Sequence, residues 1–251
     1  MKILAVTQAR YGSTRLPAKV LKEVNGLSLL EIHVKRILKS ELISKLIIAT
    51  TKEPGAEHIL AIAKKAQVPV FQGSTEDVLA RFYQAALPEQ PDYVVRVTSD
   101  CPLIDPVEID RVIRACVSSG ADYVSNTLIP TFPDGVDCEV FKFEALEKAF
   151  LEATLKSDRE HVTPYIWRNS SVKGGSIFKS GSIENPEDYS AYRITVDTQE
   201  DFEVIKQLLE ALGPDKSWKE YIDYLDRHEK IKELNGHHTR NEGYQKSLLN
   251  D

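Results

Sequence analysis

Cysteine is scarce in this 251-residue chain: Cys101, Cys116 and Cys138 are the only three, and no two of them form a C-x-x-C pair. That spacing argues against a disulfide framework and a zinc site, and points to a reducing cytoplasm. Long apolar runs are missing too. The run within "MKILAVTQAR" is shorter than a signal-peptide core, and no segment approaches the roughly 18 apolar residues of a membrane helix, so a soluble, unprocessed protein is expected. Nor is there an excess of positive charge. Lys and Arg number 32 against 38 Asp and Glu, and the net charge of -6 offers no general attraction to nucleic acid or an anionic membrane. Any anion must be met locally. The stock nucleotide loops G-x-x-x-x-G-K-S/T and G-x-G-x-x-G are absent, which disfavours a P-loop ATPase and a nicotinamide enzyme. Internal repeats and low-complexity segments are absent as well.

What is present is a repeated strand and helix pattern. "KILAVT" (2–7), "KLIIAT" (45–50), "PVF" (69–71) and "YVVRVT" (93–98) are short β-branched runs without clean polar alternation, as strands covered on both faces are. Between them, Leu30, Val34, Ile37 and Leu38 mark one helical face, Val78, Leu79, Phe82 and Ala86 a second, and Val112, Ile113, Cys116 and Val117 a third. This order predicts an α/β fold on a mainly parallel sheet. Ser74 with Asp77 reads as a capping box, and Asp105, Pro106 and Glu108 as N-cap, first-turn proline and N3 acid. From 122 to 142 the pattern loosens into a hairpin or excursion around "IPTFPDGVD", a candidate substrate or dimer element. A helix over "SDREHVTPYIWRN" is expected next, then strands near 172–178 and at 192–197, then a helix carrying Phe202, Ile205, Leu209 and Leu212 on one face. These elements make one main domain over 1–213. Residues 214–251 should add a helix near Trp218 to Leu225 and a loosely held polar tail.

The loop "QARYGSTRLPAKVL" (8–21) leaves the carboxyl end of the first strand, where open parallel sheets bind ligands. Arg10, Arg15 and Lys19 supply cationic donors, while Gly12, Ser13 and Thr14 supply close backbone N–H groups and small hydroxyls. Together these suit a polyphosphate; the plain alternative is a solvated basic turn. Asp100 in "VRVTSDCPLIDP" and Asp197 in "YRITVDTQED" stand at two further strand ends. Two carboxylates suit Mg²⁺, which fills its shell with water and substrate phosphates, although Asp100 is also a turn residue type and Asp197 a helix N-cap type. In "FPDGVDCEVF", alternation could point Asp137 and Glu139 to one side of a strand beside Asp134, where such acids could hydrogen-bond the hydroxyls of a ligand or approach a second metal, the plain alternative being turn acids before a strand. Glu160 and His161 in "DREHVTPYI" are further candidates for ligand contact, although one helical His is more often structural or exposed.

Residues 9 to 21 match every fixed position of A-R-x-x-S-x-R-L-P-x-K-x-L, and the stretch resembles the opening motif of the CMP-sugar-acid synthetases, cytidylyltransferases acting on Kdo and acylneuraminic acids. "GSTEDVLARFYQAA", "TSDCPLIDP", "FPDGVDCEVF" and "DREHVTPYI" are similar to the SpsF-type branch, named after a spore coat polysaccharide biosynthesis protein. The similarity runs over about residues 1 to 212. It implies a nucleotide-diphospho-sugar transferase fold, Rossmann-like, as a three-layer sandwich on a mixed, mainly parallel sheet. It also implies transfer of CMP from CTP to a sugar acid with release of pyrophosphate, dependence on Mg²⁺, and a cytoplasmic homodimer serving surface-glycan synthesis. By match, Arg10, Ser13, Arg15 and Lys19 would hold the triphosphate, Asp100 and Asp197 the metal. Thr98 stands where Kdo and acylneuraminate enzymes often carry Gln, and Asp77 and Arg81, one helical turn apart, either border the base pocket or form a cap and an ion pair.

Overall fold

Odd and even residues of the first strand are both apolar because both faces of it are buried. Ile3 and Ala5 of β1 (Ile3–Gln8) pack into one hydrophobic cluster, Leu4 and Val6 into another. The structure, a computed structural model, describes residues 1–13 and 15–251. After β1 come a small hairpin of β2 (Glu23–Val24) and β3 (Leu27–Ser28), then α1 (Leu29–Ile37), β4 (Lys45–Thr51), α2 (Ala56–Ala66), β5 (Val70–Gly73), α3 (Val78–Ala86), β6 (Tyr93–Thr98) and α4 (Pro106–Ser119). The chain continues through β7 (Tyr123–Ser125), β8 (Glu139–Lys142), α5 (Phe143–Glu152), α6 (Lys156–His161), α7 (Pro164–Arg168), β9 (Ser180–Ser182), α8 (Gln199–Leu212), α9 (Trp218–Arg227), α10 (Glu229–Lys232) and α11 (Glu242–Leu248).

The main sheet runs β5-β4-β1-β6-β8-β7-β9. Only β8 opposes its neighbours, pairing antiparallel with β6 and β7, so the sheet is mixed and mainly parallel, as expected. Leu30 of α1, Ile59 of α2 and Val112 of α4 fill one face; Phe82 of α3, Leu146 of α5 and Ile166 of α7 fill the other. Fully burying one such side chain stabilises by ~1.5–3 kcal/mol, so two filled faces hold strands of three to seven residues. A third cluster joins Val204 and Leu208 of α8 and Ile222 of α9 to Phe132 and Ile194. No helix is long and apolar enough to cross a membrane among the described residues.

Asp105 caps α4 as expected: its Oδ1 accepts from Val107 N at 2.9 Å, while Oδ2 accepts from Trp218 N at 2.9 Å and ties in α9. The start of α3 lies later than the capping-box reading. Asp77 is the N-cap, accepting from Ala80 N at 2.9 Å, and Ser74 only receives the N–H of Asp77. The helix expected across 157–169 is broken in two. Val162 takes a left-handed φ of 73°, which ends α6, and Pro164 then opens α7 at a position that needs no N–H donor.

Two expected strands are not there. At 172–178 a single tight turn over Ser171–Lys173 leads into Gly174, with φ of 80°; Phe178 makes only an isolated bridge to Ser170, and the strand proper starts at β9. Residues 192–197 are extended but stay outside the sheet, since Asp134 N donates to Tyr192 O at 2.9 Å and Val196 N to Asp100 O at 2.8 Å. Ile194 and Val196 thereby bury against α8 and α9 rather than under a strand. The excursion between β7 and β8 folds onto its own chain, with Phe132 and Val136 fully buried and Asn126 bonded to Val136 O and Cys138 N. The tail is not loose either: α11 packs on α6, and the Asp251 carboxylate receives both the N–H and the hydroxyl of Ser157 at 2.7 and 2.6 Å.

Two consequences are measurable. Gly135 has φ of 116°, and a Cβ there would meet the Ile194 carbonyl carbon at 2.6 Å. Gly135→Ala should therefore cost about 2 kcal/mol or more in urea unfolding; an unchanged midpoint would contradict the close approach. His33 is fully buried between Thr7 Oγ1 and Cys101 O, each at 2.8 Å, and burial lowers its pKa from 6.5 to about 4. The unfolded chain thus binds the proton more tightly, and stability present above pH 6.5 is lost as pH falls towards 4, by about 3 kcal/mol from this group. His33→Gln should flatten that part of the curve, and an equally steep curve would refute the assignment.

Candidate active site

The parallel strands β1 and β6 end side by side at Gln8 and Thr98, and the loops that follow them face the same cleft. In the first loop, Ala18 takes a left-handed φ of 52° before the turn at Lys19–Leu21, which turns Lys19 back across the strand ends. Its Nζ donates to Asp197 Oδ1 at 2.8 Å and Val196 O at 2.9 Å, and lies 3.4 Å from Asp100 Oδ2. The backbone bond from Val196 to Asp100, with a second from Thr195 Oγ1 to Asp100 O at 3.0 Å, holds the two aspartates together. Burial opposes charge on Lys19, but Asp100 and Asp197 outweigh it and raise the ammonium above its usual range. Burial likewise opposes ionisation of Asp100, yet Lys19 and the Thr98 hydroxyl hold it below the usual carboxylate range.

Arg15 adds a second cation on Asp197, at 2.9 Å from Oδ1. Arg10 and Ser13 line the same cleft, which has a volume of about 1040 Å³. Gly12 turns away from it, its N–H donating to Glu53 Oε1 at 2.9 Å, so it does not offer that donor to a ligand in the cleft. Thr14 lies outside the described residues. Asp77 and Arg81 both border the cleft, but they do not pair with each other. Asp77 is bound by Arg159 through Nε and one terminal nitrogen, and Arg81 donates to Ser74 O at 2.9 Å.

A second cavity of about 480 Å³ meets the first along Gln8, Thr98, Asp100 and Asp197. Its wall is acidic, with Asp134, Asp137 and Glu139; Asp137 precedes β8 rather than lying in it, and Glu139 is the first residue of that strand. Glu139 is saturated: Tyr123 and Thr163 donate to it at 2.6 Å each, and Arg96 bonds it across the β6–β8 pair. Glu160 lines the larger cavity and His161 borders both. The Oγ of Ser247 joins that pair, 2.9 Å from His161 Nε2 and 2.8 Å from Glu160 Oε2.

Several residues of the site were not anticipated. Arg193 is buried and binds three carboxylates: Asp201 through Nε at 2.8 Å, Asp134 at 2.6 Å and Asp197 at 3.3 Å. Asp201 in turn accepts from the backbone N–H of Asp197 and Thr198, fixing the start of α8 beneath Asp197. Arg96 and Arg193 each sit in an apolar run with an acid or hydroxyl two and four residues on, so period-2 spacing through Thr98 or through Thr195 and Asp197 carried the signal. Arg240, which binds Asp137, carried none. Among the described residues no group of three or more His, Cys, Asp or Glu is placed to hold a metal, and the carboxylate pair is the acidic donor set at the cleft junction.

Comparison with known proteins agrees with this geometry. The family model described as Cytidylyltransferase matches residues 4–241. The spore coat polysaccharide biosynthesis protein SpsF of Bacillus subtilis is 38% identical over 234 residues, covering 90% of this chain and 94% of that protein. A solved cytidylyltransferase from Leptospira borgpetersenii superposes with a TM-score of 0.87 at 33% identity, over 95% of this chain and 98% of the other. The fold is also that of CMP:2-keto-3-deoxy-manno-octonic acid synthetase complexed with CTP, with a TM-score of 0.63 at 17% identity, over 84% of this chain and 99% of the other. With the family model spanning nearly its whole length and the strand-end cleft in place, the chain belongs to the cytidylyltransferase family and is a CTP-dependent nucleotidyltransferase.

Proposed function

We propose that the enzyme transfers CMP from CTP to a hydroxyl of a sugar acid and releases pyrophosphate, in the making of a surface polysaccharide. The observation that carries this reading is the contact of Asp100 and Asp197 with the one ammonium of Lys19, at the seam between a larger and a smaller cavity. The larger takes the nucleotide, with Arg10, Ser13 and Arg15 along the triphosphate. The smaller takes the acceptor. Its acids suit hydroxyl donors, and Arg96 Nε, buried and without a hydrogen-bond partner among the described residues, suits the carboxylate of a sugar acid. The polysaccharide role named for the Bacillus subtilis relative supports the pathway class.

Attack on an α-phosphate builds negative charge on the departing pyrophosphate, so the main task of the protein is alignment and charge stabilisation. Arg10 and Arg15 bring permanent cations to the triphosphate, and Lys19 adds a third whose charge the two aspartates secure. Asp100 and Asp197 would hold Mg²⁺: the pair already shares one cation, and hard carboxylate oxygens are the donors that ion uses. A bound Mg²⁺ would supply charge neutralisation at the phosphates. Arg193 keeps Asp197 turned to the seam, and the paired acids of the smaller cavity orient the acceptor.

Pyrophosphate release with CTP, Mg²⁺ and a panel of sugar acids tests the reading. Turnover should need the divalent ion, stop with EDTA and return on adding Mg²⁺; turnover with no acceptor of the panel would overturn the acceptor class. Asp100→Asn should lower kcat on the order of a thousandfold while thermal unfolding stays near that of the parent. Arg15→Ala removes a charged partner of the triphosphate and should raise KM for CTP by about ten- to a hundredfold. Parental kinetics in either variant would remove these residues from the site.

A further inference from the structure

The last seventeen residues begin and end on fixed points and cross the cleft between them. Asn235 is buried and donates through Nδ2 to Asp201 Oδ1 at 2.9 Å and to Arg193 O at 3.2 Å. Asp251 closes the far end on Ser157. Between these anchors, Tyr244 lies edge-on to His161 at 5.2 Å and to Trp167 at 5.8 Å, and Gly243 borders both cavities. Ordering a polar segment of this length costs about 1–2 kcal/mol per residue, so its closure over the cleft has to be offset by specific bonds.

Two of those bonds are made by Arg240. One terminal nitrogen donates to Phe132 O at 3.0 Å and the other to the Asp137 carboxylate. The guanidinium reaches over the excursion and meets an acid of the smaller cavity from behind, since Asp137 borders that cavity and Arg240 does not. We propose that the carboxy-terminal segment is a built wall of the acceptor site and that Arg240 is its positioning residue, presenting Asp137 to the acceptor as a fixed carboxylate. The proposal rests on reading the smaller cavity as the acceptor site. Burial drives Asp137 towards its neutral form; Glu139 and Asp100 push the same way, Arg240 and Arg96 oppose it, and Asp134 stands close enough to feel the same charges. On balance Asp137 lies above the usual carboxylate range, and loss of Arg240 would push it further towards the protonated acid, which donates a hydrogen bond where an acceptor hydroxyl needs one accepted.

A carboxyl titration of the full chain by ¹³C-aspartate NMR tests this without any acceptor, the Asp137 signal being assigned by its loss in Asp137→Asn. In Arg240→Met the Asp137 midpoint should rise by about one pH unit or more, and Arg240→Lys should restore most of it. An unmoved midpoint overturns the proposal. Kinetics with CTP, Mg²⁺ and either 2-keto-3-deoxy-manno-octonate or N-acetylneuraminate give the second readout. KM for the acceptor should rise about tenfold in Arg240→Met, with its acid limb moved to higher pH and KM for CTP within about twofold. A parallel rise in both constants makes Arg240 merely structural and also overturns the proposal. If the parent turns over neither acceptor, the sugar-acid class fails, and the carboxyl titration still decides the role of Arg240.

Discussion

One ammonium group between two carboxylates governs this site. Lys19 reaches Asp100 and Asp197 from a loop that is eighty residues away from the first and nearly one hundred and eighty from the second. Asp100, half-buried at a strand end, faces a desolvation cost that favours its neutral form. Sharing the Lys19 cation keeps Asp100 ionised and holds the two side chains close. The demand for positive charge at that point is therefore a property of the folded chain before any ligand arrives, and a chelated divalent ion of the kind proposed above would answer the same demand with more charge.

Such a pair needs a rigid base, and the chain supplies it with a second ionic set. Arg193 sits on Asp134, Asp197 and Asp201, and Asp201 caps the backbone at the start of α8. Stability is not the gain, since a buried ion set rarely outdoes well-packed apolar residues. What the set provides is register: Asp134 belongs to the wall of the smaller cavity and Asp197 to the seam, and one planar guanidinium fixes the distance between them. Gly135, next to Asp134, lets the backbone of the excursion approach Ile194 closely enough for that bridge to form.

The central sheet was legible in the sequence because its strands are covered on both faces and each flanking helix repeats at 3.6 residues. "YVVRVT" coincides with β6, and α4 starts where Asp105 and Pro106 place it. Strand propensity misled at 192–197, where Ile194 and Val196 are apolar for the sake of α8 and α9 and the backbone bonds go to a loop. Similarly, an apolar stretch through Val162 looked like one helix, although a proline two residues on and a left-handed backbone divide it. The strand-end residues Arg15, Lys19, Asp100 and Asp197 were readable because each lies in a dense local motif, and the structure brings them into contact. Gly12 was not, since its N–H answers to Glu53, which is forty-one residues downstream. The tail was hidden for a general reason: a polar segment carries no periodicity, and what orders it is the set of partners that it meets only after folding.

Where the two cavities meet, the acids at the seam differ in their partners from those on the wall of the smaller cavity. At the seam, Asp100 and Asp197 bind side chains that are partly open to solvent, such as Arg15, and those contacts can be exchanged for a ligand. On the wall of the smaller cavity, Glu139 has three donors, Asp134 faces the buried Arg193 and Asp137 the half-buried Arg240, so the chain itself fixes these groups. Exchangeable contacts at the seam and fixed ones on the wall fit the proposed transfer, in which phosphate would come and go at the first and a hydroxyl would be held in line at the second. The same logic accounts for two unlike sources of cations: the mobile ones come from the loop after β1, and the fixed ones from β6, the extended segment before α8 and the carboxy-terminal strap.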